Sequence, residues 1–471
     1  MRRFTTRLVR SRYLRVLPLR SSRNMVIYHS LYGNPFAATP RALKLLDAFA
    51  SPAYASVICK KMDASSNDID DLQTLGFLQE EGVDERTVLV RLAQERVKSA
   101  VDGSLVTILR YFTAYCNFAC NYCSVTQLNR MGPKPLIRPK AHFSWEVARL
   151  AADKFLSLVR RHGHGRAQIR FFGGEPLLDW PIYRRVIEHT TNQRNRPDLD
   201  YYLTTNGSLI TSEVAAFLKA HNVTTMVSLD GDQKSHDQFR RYPNGKGTFS
   251  AVQAGIEKLR RAGVEVHLDM TMHRANVDRM PEVIEFAKNL GVKDIGVGPM
   301  RLIPKGGTSY AAEISQQLEA IVAARQHGKA LGVPVLGSWM AFRVMGKAPR
   351  AEGTCYANGD EICVNTEGIV FPCYAIPQPI GHVANLSRCF THPDYRKLVG
   401  RIAGTIEECK GCPIEGPCGG GCASDAWAEH GDTNRVARSK CELRCTVAQF
   451  LLKESAEGSI EARKKSRGRA N

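Results

Sequence analysis

Between about residues 104 and 300, short apolar runs alternate with amphipathic segments, and this alternation narrows the fold more than any other feature of the chain. "SLVTILRYF", "AQIRFFGG", "YYLTTNG", "TMVSLDG", "VEVHLDMTM" and "DIGVGPM" are β-branched or apolar and short enough for buried strands. Segments such as "SWEVARLAADKFLSLVRR", "SEVAAFLKAHN", "FSAVQAGIEKLRRAG" and "MPEVIEFAKNLG" separate them, with apolar residues at helical spacing. Six such units predict an α/β fold: a parallel sheet with helices outside, closed or nearly closed as a barrel. In such barrels chemistry sits on the loops that follow the strands.

The loop after the first strand carries "YCNFACNYCS", residues 115–124, with Cys116, Cys120 and Cys123 at intervals of three residues and then two. A tetrahedral zinc site or a closed iron–sulfur cluster usually takes four ligands. Three therefore imply either a distant fourth partner or a metal left open. The next strands also end in polar residues. "FFGGEP" supplies Gly173, Gly174, Glu175 and Pro176, "TTNG" supplies Asn206, and "SLDG" supplies Ser228 and Asp230. "HDQFRR" then brings His236 and Arg240. Each alone has a structural explanation, since a Gly-Gly-x-Pro is commonly a turn and a lone Arg a solvated surface residue.

Taken together, Cys116-x3-Cys120-x2-Cys123 with Tyr122 before the third cysteine, "FFGGEP" and the polar strand ends resemble the radical SAM enzymes. The resemblance implies a partial (β/α)6 barrel and a [4Fe–4S] cluster held by the three cysteines. It also implies S-adenosylmethionine bound through Tyr122, Gly173, Gly174, Glu175, Pro176, Asn206, Ser228, Asp230 and Arg240. A cluster of this kind leaves one iron for the amino and carboxylate groups of S-adenosylmethionine, which is then cleaved reductively to an adenosyl radical. A flavodoxin- or ferredoxin-type donor is the expected electron source. Asp230 and His236 are candidates for a base at the mouth, although a structural hydrogen bond is the first expectation for each.

Ten of the fourteen cysteines crowd into residues 355–445, a stretch rich in Gly and Pro with little periodicity. "GCPIEGPCGGGC" cannot build a hydrophobic core, so bound metal is the natural source of order there. No secretory signal accompanies these cysteines, which argues against a disulfide framework. Cys355-x12-Gly368-x4-Cys373, then Cys409-x2-Cys412-x5-Cys418-x3-Cys422 and Cys441, is similar to the SPASM extension of some radical SAM enzymes. That similarity implies two auxiliary [4Fe–4S] clusters. Cys409, Cys412, Cys418 and Cys441 would hold the outer one; Cys355, Cys373 and Cys422 would hold the inner one. Cys363 is the first candidate for its fourth ligand and Cys389 the second. Cys445 is either a substitute ligand or a free thiol, and a zinc ribbon remains the alternative for the region.

Residues 25–100 read as a small winged-helix-like unit, with a Thr-Pro start at "TPRALKLLDAFA" and a second helix in "DIDDLQTLGFLQEE". The expected order is a basic flexible start (1–24), this unit (25–100), the barrel (104–310), a linker helix region (311–350), the SPASM domain (351–450) and a basic tail (451–471). The formal charge of +19 falls to +11 without residues 1–24, which hold eight arginines and no acid. The arginine-rich start reads as a disordered arm, as a prelude to initiation at Met25, or as a transit peptide. No run is apolar and long enough to cross a membrane, and oxygen-sensitive clusters imply the cytoplasm.

SPASM proteins mostly act on ribosomally made peptides, and the N-terminal unit is similar to domains that capture a leader peptide by strand addition. A basic surface suits an acidic leader. The layout resembles thioether-forming maturases, including the maturase of quinohemoprotein amine dehydrogenase. Oxidative cross-linking is therefore expected, thioether formation first and carbon–carbon or carbon–oxygen bonds second. Sulfatase-type formylglycine maturation is the runner-up enzyme. Outside catalysis, an iron–sulfur or zinc protein holding nucleic acid by its basic face is the alternative, although such a binder has no use for an open cluster site.

Overall fold

A computed structural model describes residues 6–19, 24–126, 141–301, 310–337 and 355–468. The N-terminal unit holds β1 (Arg7–Arg10), β2 (Leu14–Pro18), β3 (Met25–His29), β4 (Gly33–Ala38), β5 (Ala53–Tyr54) and β6 (Leu78–Glu80). They form two antiparallel three-stranded sheets, ordered β5-β1-β6 and β2-β3-β4. Helices Pro40–Asp47, Ala55–Met62 and Ser66–Thr74 share a core with them around Ile27, Leu46, Phe49 and Phe77. Thr39 caps the first helix through Ala42 N, and Ser65 with Asp68 forms a capping box on the third. Each cap contributes about 1 kcal/mol.

The flexible arm expected at residues 1–24 is corrected here for residues 6–19, which supply β1 and β2. The arginines mask a strand pattern: Leu8 turns into the core while Arg7, Arg10 and Arg12 face Glu81, Asp47 and Asp84. These acids lie far along the chain, so the pairing is invisible locally.

The barrel strands follow as expected: β7 (Ile108–Thr113), β8 (Arg166–Gly173), β9 (Asp198–Thr205), β10 (Thr224–Ser228), β11 (Val266–Met272) and β12 (Asp294–Pro299). Each pairs in parallel with the next, and helices such as Trp145–Arg161 cover the outer face. On β11, Val266, Leu268, Met270 and Met272 are buried under those helices, whereas His267, Asp269 and Thr271 face the barrel interior. Ser144 caps helix Trp145–Arg161, whose Ala148, Ala151, Ala152, Phe155 and Val159 recur at helical spacing against the sheet.

The barrel stays open. β13 (Val335–Leu336) adds to the β12 edge, and at the other edge β7 pairs in parallel with β14 (Glu361–Asn365). β15 (Ile369–Phe371) and β16 (Gly381–His382) continue antiparallel, giving one ten-stranded sheet. The cysteine-rich region is thus an extension of the barrel sheet.

Two expected boundaries move. Residues 314–336, expected as part of a linker region at 311–350, complete the barrel: helix Ile314–Leu331 buries Ala320, Ile321 and Ala324 in its core. Residues 338–350 of that region lie outside the described residues. The tail expected from 451 onward begins inside helix Arg438–Gly468, where Leu452 and Ala456 are buried and Glu454 pairs with Arg325. Ala456 packs on Leu19 and Val26, so the partner that orders this segment lies more than 400 residues earlier.

Candidate active site

The cysteine triplet follows β7 and is held from two sides. Gly174 N donates to Thr113 O (2.6 Å) and Glu175 N to Tyr115 O (2.8 Å). Ala119 N and Asn121 N donate to Arg241 O and Phe239 O. A Cβ on Gly173 would lie 2.0 Å from Thr113 O, and one on Gly174 would lie 2.2 Å from Tyr115 O. Gly173 also has φ +138°, so only glycine lets β8 end this close to the triplet.

One cavity of about 740 Å³ opens beside these residues. Cys116, Cys120, Cys123 and Tyr122 form its near wall. Gly173, Gly174, Asn206, Ser228 and Arg240 line the strand-end side, as the sequence led us to expect. Cys355, Cys422, Arg301 and Tyr374 line it as well. Asn206 Nδ2 donates to Asn117 Oδ1 (2.8 Å) and approaches Cys116 Sγ (3.9 Å). Burial pushes the thiols of Cys116 and Cys120 up, Cys120 to about 12, so a bound cation is needed to hold them as thiolates near neutral pH.

Four expected site residues are not among those lining the cavity. Glu175 is buried and accepts from Thr205 Oγ1 (2.6 Å), Asn206 N (2.7 Å) and Leu177 N (3.0 Å), so its carboxylate ties β8 to β9. Burial pushes its pKa up to about 7 against those three hydrogen bonds. Pro176 is buried behind it and starts the short turn Pro176–Asp179.

Asp230 and His236, the candidate bases, also lie behind the cavity wall and hold the structural hydrogen bonds first expected of them. Asp230 is fully buried and accepts from Arg240 Nε (2.8 Å), Arg240 Nη2 (3.2 Å), Thr271 N (3.1 Å) and the Tyr122 hydroxyl. Burial alone would raise its pKa, but the Arg240 charge, the nearby His273 and the Arg240 hydrogen bonds hold it well below the usual carboxylate range. It is the counter-ion that aims Arg240. His236 Nδ1 accepts from Asp230 N (3.3 Å), which leaves Nε2 to donate to Thr248 Oγ1 (3.0 Å). Burial, with Arg240 adding to it, lowers His236 to about 4, so it stays neutral and structural.

Sequence reasoning missed Asp269 and Thr271 of β11, together with Arg301, Tyr374 and Arg444, all of which line the cavity. A signal existed for some of them. The alternation in "VHLDMTM" sends His267, Asp269 and Thr271 to one face, and Tyr374 directly follows a cysteine. Burial raises the pKa of Asp269, although Arg240 opposes it.

The C-terminal cysteines fall into two sets, and none of the fourteen forms a disulfide. The Cys355, Cys373 and Cys422 thiols act on one another electrostatically, with Arg301 Nη1 3.7 Å from Cys422 Sγ. Cys363 on β14 is within the field of Cys373 and donates to Glu361 Oε1 (3.2 Å). Cys389 instead packs against Gly381 in the sheet core, and no other cysteine is among the groups that shift it. The second set gathers Cys409, Cys412, Cys418 and Cys441, with Cys445 as a fifth thiol hydrogen-bonded to Cys412. That bond lowers the pKa of Cys412 to about 7. Cys59 lies apart, in the N-terminal core.

Each donor set is made of thiols, the ligand type that iron–sulfur clusters take. Cations at the C-terminal sets also call for anionic partners: buried Arg401 and partly buried Arg301 form no ion pair with a carboxylate among the described residues, and partly buried Arg444 meets Asp425 at 3.8 Å and the Cys418 thiol.

Comparison with known proteins agrees with this geometry. The profile described as "Radical SAM superfamily" matches residues 111–287. The radical SAM cyclopropyl synthase TigE of Paramaledivibacter caminithermalis is 23% identical over 442 residues, covering 90% of this chain and 92% of that protein. Among solved structures, native anSMEcpe with bound AdoMet and the Cp18Cys peptide superimposes with a TM-score of 0.60 at 19% identity, over 75% of this chain and 99% of that one. Streptococcus suis SuiB bound to the precursor peptide SuiA gives a TM-score of 0.53 at 12% identity, over 92% of this chain and all of that one. Among the described residues no helix is long and apolar enough to cross a membrane.

Proposed function

Carrying a radical SAM domain, the chain is an enzyme of that kind, and we propose that it is a maturase that oxidatively cross-links residues within a ribosomally made peptide. A [4Fe–4S] cluster and S-adenosylmethionine follow from the domain; two auxiliary clusters and the peptide are part of the proposal. When bound, the first cluster and S-adenosylmethionine supply reductive cleavage to an adenosyl radical, the hydrogen-abstracting agent of the reaction.

The residues divide this work by position. Cys116, Cys120 and Cys123 would hold the first cluster. Asn206, Ser228, Arg240 and Tyr122 would contact S-adenosylmethionine beside it, and the bare backbone of Gly173 and Gly174 lets the ligand approach closely. Arg240, fixed by Asp230, is placed to face a carboxylate. Cys355, Cys363, Cys373 and Cys422 would hold the inner auxiliary cluster, and Cys409, Cys412, Cys418 and Cys441 the outer one.

The observation that carries this reading is that one cavity is lined both by the triplet and by Cys355 and Cys422 of the C-terminal cysteines, with Arg301 and Tyr374. A substrate bound there lies next to both groups of thiols, which suits a two-electron oxidation better than a simple hydrogen exchange. The likeness to SuiB solved with its precursor peptide, over 92% of this chain, supports a peptide substrate captured by the N-terminal unit. For the bond, the cysteine layout favours a thioether. The near-full-length likeness to a cyclopropyl synthase favours carbon–carbon closure as the second reading.

The test uses anaerobically reconstituted full-length protein with reductant and S-adenosylmethionine, beside a Cys116, Cys120, Cys123→Ala variant. About twelve irons in the wild type and about eight in the variant are expected, with 5′-deoxyadenosine formed only by the wild type. Little iron, or nucleoside formed by the variant, would overturn the assignment. With a cysteine-containing candidate precursor peptide as substrate, a product with no free thiol left to alkylate marks a thioether. An alkylatable thiol in a cross-linked product marks carbon–carbon closure, and an aldehyde marks formylglycine.

A further inference from the structure

Arg401 has the largest side chain among the fully buried residues, with 2% of its surface exposed, and it forms no ion pair with an acid among the described residues. Its guanidinium binds the backbone instead. Nη1 donates to Gly421 O (2.9 Å) and Gly419 O (3.4 Å), and Nη2 donates to Gly420 O (2.6 Å) and Arg435 O (3.2 Å). Nε, also buried, has no hydrogen-bond partner among the described residues. Gly419–Gly421 are the whole of the loop between Cys418 and Cys422, and those two cysteines belong to different thiol sets. A Cβ on Gly420 would press on Arg401 Nη2 (3.1 Å) and on Ile406 (2.1 Å), so the glycines leave room for the guanidinium.

The backbone of Arg401 is tied to the inner set as well. Asn358 Nδ2 donates to Arg401 O (2.7 Å), while Asn358 Oδ1 accepts from Cys355 N (3.2 Å). The groups whose negative charge acts most on Arg401 are Cys355 and Cys422 of one set, then Cys418 and Cys409 of the other. Carbonyl dipoles alone do not repay the desolvation of a buried guanidinium, which amounts to several kcal/mol for an ion without a counter-charge. The missing negative charge is the charge the two thiol sets acquire as cluster thiolates.

We propose that Arg401 is a positioning residue shared by both C-terminal sites: it fixes the glycine loop that spaces Cys418 from Cys422, and its charge raises the reduction potential of the clusters on either side. Cluster potentials respond to net charge and to hydrogen bonding near the sulfurs, so one cation between two sites moves both. This rests on the reading that both sets bind clusters, and the experiment separates the two ideas.

The Cys116, Cys120, Cys123→Ala protein leaves only the auxiliary sites to observe. In that background Arg401, Arg401→Met and Arg401→Lys are compared by iron count and by redox titration followed by electron paramagnetic resonance. Arg401→Met is expected to retain about eight irons and to shift both auxiliary midpoints to lower potential. Arg401→Lys keeps the charge without the fork, so its midpoints should stay near the parent's while a chelator strips its iron faster. Unshifted midpoints in Arg401→Met, or a shift at one site alone, would overturn the proposal. If Arg401→Met loses its iron, Arg401→Lys is compared with Arg401→Gln, and equal midpoints in that pair would overturn it. A parent protein with no iron at these sites would overturn the two-cluster reading and the inference with it.

Discussion

Asp230 shows what a single buried carboxylate does when its partners are cations and donors rather than substrate. Arg240, Thr271 N and the Tyr122 hydroxyl take up its lone pairs. Asp230→Asn leaves the Arg240 guanidinium buried without its counter-ion, and the expected loss is about 3–5 kcal/mol in urea unfolding. The pH dependence has a definite sign. The native pKa lies below the ordinary value of 3.8, so the pair stabilises the protein above about pH 4 and the contribution fades as pH falls below it. The wild type should therefore lose more stability than Asp230→Asn between pH 5 and pH 3, in steps of about one unit, as linkage requires. Asp230 and Arg240 were both readable in "SLDG" and "HDQFRR" as residues at strand ends. That they face each other, and that only Arg240 reaches the cavity, depends on a turn whose geometry no local pattern encodes.

At the scale of elements the deciding junction is β7 with β14. Arg110 Nε and Nη2 hold Glu361 Oε1 and Oε2 at 2.9 and 2.7 Å, joining the first barrel strand to the first strand of the cysteine-rich region. Glu361 is buried and Arg110 nearly so, and Glu361→Gln leaves the guanidinium without its charge partner. The expected outcome is a loss of about 3 kcal/mol or more, with faster amide exchange confined to residues 361–365 and their neighbours on β7. Unchanged exchange there would show that the ladder holds without the ion pair. The six barrel strands were legible because apolar runs and helical periodicity are local. β14 was not, because "EICVN" is short and its identity as a strand comes from the open edge of β7.

At the scale of the molecule, the N-terminal unit docks on the outer cysteine loop. Gly416 N donates to Ser30 O (2.8 Å), a Cβ on Gly416 would lie 1.7 Å from Leu31 O, and Arg86 pairs with buried Glu415 (2.6 Å). Beside this contact His29 is fully buried, hydrogen-bonded to Ser11 Oγ (3.0 Å) and Glu85 Oε1 (2.9 Å) and stacked on Tyr32. Burial lowers its pKa despite Glu85, so the folded state resists a proton that the unfolded chain accepts near the ordinary value of 6.5. Stability from this group is present above that pH and is lost as pH falls below it. Thermal unfolding of the full chain should show a midpoint that drops below about pH 6.5, less steeply in His29→Gln. A variant with the wild-type slope would place the acid sensitivity elsewhere.

The sequence by itself determined the barrel, the position of the triplet on its first loop, the glycines that let β8 approach it and the crowding of ten cysteines into residues 355–445. All of these rest on periodicity, spacing or backbone freedom, which a short stretch of chain carries in full. Tertiary structure decided the rest: that Asp230, His236 and Glu175 support the site from behind, that residues 6–19 are strands, and that helix Arg438–Gly468 continues past 450. It also decided that Arg401 lies between two thiol sets. Each of these depends on partners distant in sequence, and the energy of a buried charge or an edge strand is fixed by what lies opposite it in space.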